Sequence, residues 1–235
     1  MSSPAPSRRD VGAIVVAAGR SSRLGGEPKQ FRPVAGVPLL LRALRPFLAH
    51  PEVGPVVAVL PAEAVAAPPD WLAGLLGERL SLIAGGFERA DSVRAGLAAL
   101  PAECDTILIH DGARPFVSSA VIGQIIAEAR GGRGAVAAIP VQDSVKRGEA
   151  SPGGGTRIGG TVPRHDLWLA QTPQGFPRQM LLRAHAGGES ALDDAELVER
   201  LGETVILVPD SPRNLKVTTA DDLLLAEALA GLFRP

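Results

Sequence analysis

The chain has no tyrosine, one cysteine, 3% aromatic residues and almost no net charge, −1 from 24 Lys plus Arg against 25 Asp plus Glu. Each shortage excludes something. A balanced charge gives no broad cationic footprint, so neither nucleic acid nor a membrane surface is an expected partner, and any bound anion must be met by a local cluster. A lone Cys104 cannot close an intramolecular disulfide, which suits a reducing compartment and makes cytoplasm the expected location. No stretch approaches the roughly 18 uncharged residues that a membrane helix needs, and MSSPAPSRRD lacks the apolar centre of a secretory signal. His50, His165 and His185 show no metal-ligand spacing, so zinc is not expected.

What the chain does have is aliphatic core, turns and length. Hydrophobic residues make up 46% and charged residues 21% of its 235 positions, the balance of a globular protein, while 27 Gly and 21 Pro mark frequent turns. A layered domain of this size can bury a sizeable core. The expected organisation is a disordered tail over 1–9 and one domain over 10–235.

Short runs rich in Val, Ile and Leu recur without polar alternation at GAIVVAA, PVVAVLP, LSLIAGG, DTILIHDG and GAVAAIP, as in parallel strands covered on both faces. Helical spacing fills the gaps: Leu39, Leu40, Ala43, Leu44, Phe47 and Leu48 behind Pro38, and Val93, Leu97 and Leu100 after RADS. Further helices are expected near Pro177–Ala186, Asp193–Leu201 and Ala220–Leu232, with a strand at TVILVPD. The alternation predicts an α/β, Rossmann-like doubly wound sheet, mostly parallel. Residues 141–164 break the pattern: two β-like edges flank a Ser-Pro-Gly-rich centre, the signature of a long hairpin that projects from the sheet. It holds too few apolar residues to be a domain.

Ligands of such sheets bind at the carboxyl ends of the strands. The first strand runs into AGRSSRLGGEPK, which matches neither the P-loop nor the dinucleotide glycine pattern. Gly19, Gly25 and Gly26 let the backbone approach a ligand with N–H groups toward an anion, and Arg20, Arg23 and Lys29 add positive charge. Around a triphosphate such a loop would stabilise departing pyrophosphate; a solvated basic turn has the same composition. Asp111, after TILIH, offers a hard oxygen to Mg²⁺ or another divalent cation, or caps a turn. His110 is expected to pack behind that loop rather than to act as a catalytic base.

AAGRSSRLGGEPKQF, GGFERADSV, HDGARPFV, TVPRHDLWLAQTPQGF and NLKVT, in this order, resemble the nucleotidyltransferases that activate polyols, and closely the 2-C-methyl-D-erythritol 4-phosphate cytidylyltransferase family of the non-mevalonate isoprenoid pathway. The similarity spans about Val11 to Phe233. It implies cytidylyl transfer from CTP to the polyol phosphate with release of pyrophosphate. Arg23, Lys29 and Lys216 would be the catalytic cations, and Asp111 the metal ligand. Ala17, Ala18, Gly19, Gly85, Gly86, Ser92 and Gly112 would bind the nucleotide. Arg114, Ser144, Arg164, Thr172 and Asp210 would bind the polyol phosphate. The resemblance also implies a homodimer in which the hairpin is a dimerisation arm whose Ser144 and Arg164 serve the neighbouring subunit. Phe87 and Leu192 depart from the family pattern, which has polar residues there. Some relatives carry a fused cyclodiphosphate synthase domain, and none is expected after Pro235. The rival functions are a cytidylyltransferase for another polyol phosphate, such as ribitol 5-phosphate, and a non-catalytic nucleotide-binding protein.

Overall fold

A computed structural model of the chain describes residues 9–19 and 28–232. Arg20, Arg23, Gly25 and Gly26 of the first loop, residues 1–8 of the expected tail and Phe233 lie outside the described residues.

The strands in chain order are β1 (Val11–Val16), β2 (Pro33–Val34), β3 (Val37–Pro38), β4 (Val53–Leu60), β5 (Leu80–Ala84), β6 (Thr106–Asp111), β7 (Gly134–Pro140), β8 (Val145–Ala150), β9 (Thr156–Val162), β10 (Trp168–Pro177) and β11 (Val205–Pro209). The helices are α1 (Leu39–Ala49), α2 (Ala62–Ala66), α3 (Asp70–Ala73), α4 (Arg89–Ala99), α5 (Ser119–Arg130), α6 (Arg178–His185), α7 (Asp194–Glu199) and α8 (Ala220–Leu232). A seven-stranded sheet has the order β11-β7-β10-β6-β1-β4-β5. Every pairing in it is parallel except those of β10, which runs antiparallel between β6 and β7.

Both faces of this sheet are covered, which is why its strands carry apolar side chains at successive positions. On one face α1 and α5 bury Leu40, Leu44, Phe47, Ile122 and Ile125 against Val15, Ala58 and Leu108. On the other, α4, α6 and α7 bury Val93, Leu97, Leu181 and Val198 against Ile14, Val57 and Ile109. Leu40, Leu44 and Phe47 fall at i, i+4 and i+7 and are 0% exposed, so each contributes about 1.5–3 kcal/mol of apolar burial. A smaller cluster joins α8 to Val34 and Leu39 through Val217, Ala226 and Ala230.

Two features position the site. All five aliphatic runs become sheet strands, so their carboxyl ends line up along one edge. The stretch WLAQTPQGFP, to which the sequence pattern assigns no element, forms β10, with a register irregularity against β7 between Ala170 and Gln174 that accommodates Pro173. The Ser-Pro-Gly-rich segment forms the expected hairpin, β8 and β9 pairing, among the described residues, only with each other. Among the described residues no helix is long and apolar enough to cross a membrane.

Candidate active site

The parallel ladders continue one residue beyond the strands. Ala17 N–H donates to Val59 O at 2.8 Å, Gly85 N–H to Leu60 O at 2.8 Å, and Gly112 N–H to Val16 O at 2.9 Å. These bonds hold the loops after β1, β5 and β6 side by side, and a cavity of about 920 Å³ opens between them. Of the residues expected at the site, it brings together Ala17, Ala18, Gly19, Lys29, Gly85, Gly86, Ser92, Asp111, Gly112 and Lys216. Two of the glycines are there for space: a Cβ on Gly85 would lie 2.3 Å from Ala18 Cβ, and one on Gly112 would lie 2.8 Å from Ala17 Cβ. Any side chain at either position would push apart the loops that form the wall.

Lys29 is half-buried at the start of a 3₁₀ turn, Lys29–Phe31, that follows the first loop. Opposite, α4 begins with a capping box in which Glu88 N–H donates to Asp91 Oδ2 at 2.9 Å. Asp91 therefore caps the helix, and Ser92, buried one residue further on, donates to Glu88 O at 3.3 Å while still lining the cavity. Phe87 stands fully exposed on the rim.

At the base of the cavity Asp111, 8% exposed, meets two cations. Lys216 Nζ lies 2.7 Å from its Oδ2, and Arg89 Nε lies 3.4 Å from its Oδ1. Burial alone would raise the carboxyl's pKa, but Arg89, Lys216 and Arg114 outweigh that effect and hold it well below the usual carboxylate range. It is ionised at any physiological pH. Lys216 reaches this position because Val217 N–H donates to Ala113 O at 2.8 Å, which fastens the segment after Asn214 beside the β6 loop.

Behind Asp111 the hydrogen bonds fix a tautomer. His110 is wholly buried, its ring 4.9 Å from that of Phe47, and burial lowers its pKa to about 4, so it is neutral. Its Nε2 faces Arg114 O at 3.0 Å, and a carbonyl only accepts, so Nε2 holds the proton. Nδ1 is then an acceptor, and Thr172 Oγ1–H donates to it at 3.0 Å while the same oxygen accepts Asp111 N–H at 3.0 Å. The hydroxyl proton of Thr172 is thus committed to His110. Thr172→Val is expected to cost about 1–3 kcal/mol by leaving two buried polar groups unpartnered, whereas Thr172→Ser stays near wild type. Urea unfolding midpoints at unchanged slope check both, and a wild-type midpoint for the valine variant would remove the hydroxyl from this role.

Arg114, Thr172 and Asp210 lie outside the cavity lining but share one partner that sequence reasoning passed over, Asn214, 1% exposed. Arg114 Nη1 donates to Asn214 O at 2.7 Å, and Asn214 Nδ2 donates to Asp210 Oδ2 at 2.7 Å and to Thr172 O at 2.8 Å. Burial pushes the Arg114 guanidinium below its ordinary value, opposed by Asp111 and Asp210. Asn214 sits two residues before Lys216, inside NLKVT, and that adjacency was the available signal. Arg89 and Asp194 were also missed. Ser144 and Arg164 are exposed at the base of the hairpin and do not line the cavity.

Among the described residues no three His, Cys, Asp or Glu side chains are grouped to hold a metal ion. A resident metal does not fit this donor set. A Mg²⁺ ion arriving on phosphates does, since such ions take one or two carboxylates and complete their shell with phosphate oxygens and water. Asp111 is the buried, ionised carboxylate of the cavity lining.

Known proteins resemble this chain along most of its length. A family model described as IspD, 2-C-methyl-D-erythritol 4-phosphate cytidylyltransferase, matches residues 11–231. A 2-C-methyl-D-erythritol 4-phosphate cytidylyltransferase of Salinibacter ruber is 42% identical over 221 residues, 92% of this chain and 91% of that protein. A bifunctional enzyme IspD/IspF of Desulforudis audaxviator is 44% identical over 94% of this chain, which spans 57% of that longer protein. The crystal structure of a 2-C-methyl-D-erythritol 4-phosphate cytidylyltransferase from Thermus thermophilus superposes with a TM-score of 0.76 at 35% identity, covering 93% of this chain and 98% of that one.

Proposed function

The chain belongs to the 2-C-methyl-D-erythritol 4-phosphate cytidylyltransferase family, and from that premise we propose how its residues perform the transfer. The reaction takes CTP and 2-C-methyl-D-erythritol 4-phosphate to 4-diphosphocytidyl-2-C-methyl-D-erythritol and pyrophosphate. A phosphate oxygen of the polyol attacks the α-phosphorus in line; the bond from that phosphorus to the bridging oxygen breaks, and pyrophosphate leaves. The attacking monoester is already anionic, so the neutral, buried His110 is not needed as a base.

The observation that carries this proposal is the Lys216–Asp111 pair at the cavity base, 2.7 Å apart, which sets a hard anionic oxygen beside a half-exposed ammonium. Asp111 would hold a divalent cation, Mg²⁺ by its donor chemistry, which would offset triphosphate charge and help orient the nucleotide. Lys216 turns to the α-phosphate, where negative charge grows as phosphorus becomes five-coordinate. Lys29 and Arg23 stabilise the pyrophosphate. Gly85, Gly86 and Ser92 receive the base and ribose on one wall, with Ala17, Ala18, Gly19 and Gly112 on the other. Arg114 and Asp210 hold the acceptor side through the Asn214 knot, and Thr172 fixes the Asp111 backbone on which the metal ligand stands.

Ser144 and Arg164 complete the neighbouring site in a homodimer. The hairpin supports this by having no strand partner outside itself among the described residues and by exposing Ile158, with Trp168 and Leu169 exposed at the start of β10. Such surface on a projecting ribbon is the kind that a second copy covers.

Pyrophosphate release, measured for the four nucleoside triphosphates crossed with 2-C-methyl-D-erythritol 4-phosphate and ribitol 5-phosphate, tests the function. The expected maximum is CTP with the methylerythritol phosphate. Faster turnover of ribitol phosphate would overturn the acceptor, and CTP binding without pyrophosphate from either polyol would make the protein a non-catalytic nucleotide binder.

A further inference from the structure

The Asp111 carboxylate is gripped unevenly. On Oδ2 the partner is Lys216, a long side chain that is 43% exposed and has room to swing. On Oδ1 the partner is Arg89, and Arg89 is anchored from behind: its Nη1 lies 2.6 Å from Asp194 Oδ2. Asp194 is 1% exposed and lies outside the cavity lining. It is itself fixed on three sides. His185 Nε2–H donates to its Oδ1 at 3.1 Å, while the N–H groups of Asp194 and Ala195 donate to Gln174 Oε1 at 3.2 and 3.1 Å. Gln174, on β10, in turn donates from Nε2 to Asp193 Oδ2 at 2.7 Å. The start of α7 is therefore bolted to the sheet, and the bolt ends on Asp111.

We propose that Asp194 is a positioning residue for metal–nucleotide binding: through Arg89 it keeps Oδ1 of Asp111 occupied, so that Oδ2 is the oxygen exchanged between Lys216 and the cation carried by the triphosphate. The proposal rests on the metal role of Asp111 given above. Two effects follow from the geometry. Pinning one carboxylate oxygen removes a rotation that binding would otherwise have to freeze. Pairing Arg89 with a buried carboxylate also makes the two together neutral, so the charge of Asp111 is left for the arriving cation. Without the Asp194 charge, Arg89 would stand 3.4 Å from the ligand oxygen as an uncompensated cation and repel the metal.

Asp194→Asn keeps the side-chain shape and removes the charge. Binding of Mn²⁺ together with α,β-methylene CTP, which blocks turnover, is read by electron paramagnetic resonance in the full-length chain, with thermal unfolding as the check on folding. The expected result is about a tenfold or larger loss of Mn²⁺ affinity, the range found for residues that orient metal ligands, with KM for the polyol phosphate unchanged. Because Asp194 acts through Arg89, adding D194N to an R89Q protein is expected to change affinity less than twofold. A folded D194N protein with wild-type affinity, or an equal loss on both backgrounds, overturns the proposal. Should D194N not fold, R89Q alone must show the tenfold loss, and wild-type binding there overturns it equally. Asp111→Asn separates this from its premise: unchanged Mn²⁺ binding in D111N sinks the metal role and the proposal together, whereas loss in D111N with none in D194N sinks the proposal alone.

Discussion

Lys216→Ala is expected to lower kcat for cytidylyl transfer about 10²–10³-fold, the cost typical of removing one donor aimed at developing charge, while divalent-cation binding stays intact or tightens. The split follows from the two partners that this ammonium serves. Its Nζ lies 2.7 Å from Asp111 Oδ2. A cation seeking that oxygen must displace it, so its loss removes a competitor. The α-phosphate instead loses the charge that grows in value as the reaction proceeds, and a contact stronger in the transition state than in the ground state appears in kcat. Lys216→Arg returns the charge as a planar fork on a stiffer head and is expected to recover only part of the rate. Steady-state kinetics with CTP and 2-C-methyl-D-erythritol 4-phosphate, beside Mn²⁺ titration, check both halves. An unchanged kcat in the alanine variant would move Lys216 out of the reaction, and lost metal affinity would mean that it supports Asp111 rather than competing for it.

The parts of this site that sequence shows are those fixed by topology. Strands buried on both faces are mostly apolar along their length, so β1, β4, β6 and β7 announce themselves, as does the apolar run of the edge strand β5, and the residues at or just past their ends, Gly85, Asp111 and Gly112 among them, fall at the sheet's ligand-binding edge. The hairpin is legible for the opposite reason: SPGGG between two polar, β-prone edges reads as an exposed ribbon tip more readily than as a plain surface loop. Strand β10 hides because it buries polar groups. Gln171, Thr172 and Gln174 are 6%, 4% and 1% exposed, and each spends its side chain on a hydrogen bond to another element rather than on apolar packing.

The same physics conceals Arg89 and Asp194. They meet across 105 positions of sequence, and a charged residue in the first turn of a helix reads locally as a solvated or capping group. Only the fold, by placing the starts of α4 and α7 beside the end of β6, turns two ordinary helix-end charges into a half-buried pair beside Asp111. Asn214 is of this kind as well. Its side chain and carbonyl tie Arg114, Gln171, Thr172 and Asp210 together, and apart from Asp210, four residues before it, those partners lie 42 to 100 positions away.

An arm that works in the neighbouring subunit has a consequence that a merely structural hairpin lacks: two inactive variants can make one working site. Arg164→Ala damages the arm and spares the cavity of its own subunit, since Arg164 is exposed and outside the lining. Lys216→Ala damages the cavity and spares the arm. Each homodimer is expected to be nearly inactive. In a mixed dimer, the R164A subunit keeps its own Lys216 and receives an intact Arg164 from its partner, so one of the two sites is whole. Co-expression with random pairing around a two-fold axis makes half of the dimers mixed, and pyrophosphate release is then expected at roughly a quarter of the wild-type rate per dimer. Differently tagged copies, purified through both tags, raise this to roughly half. If Arg164 served its own subunit, neither site of the mixed dimer would be whole for transfer: one would lack the arginine and the other the lysine. The mixed dimer would then be as inactive as its parents.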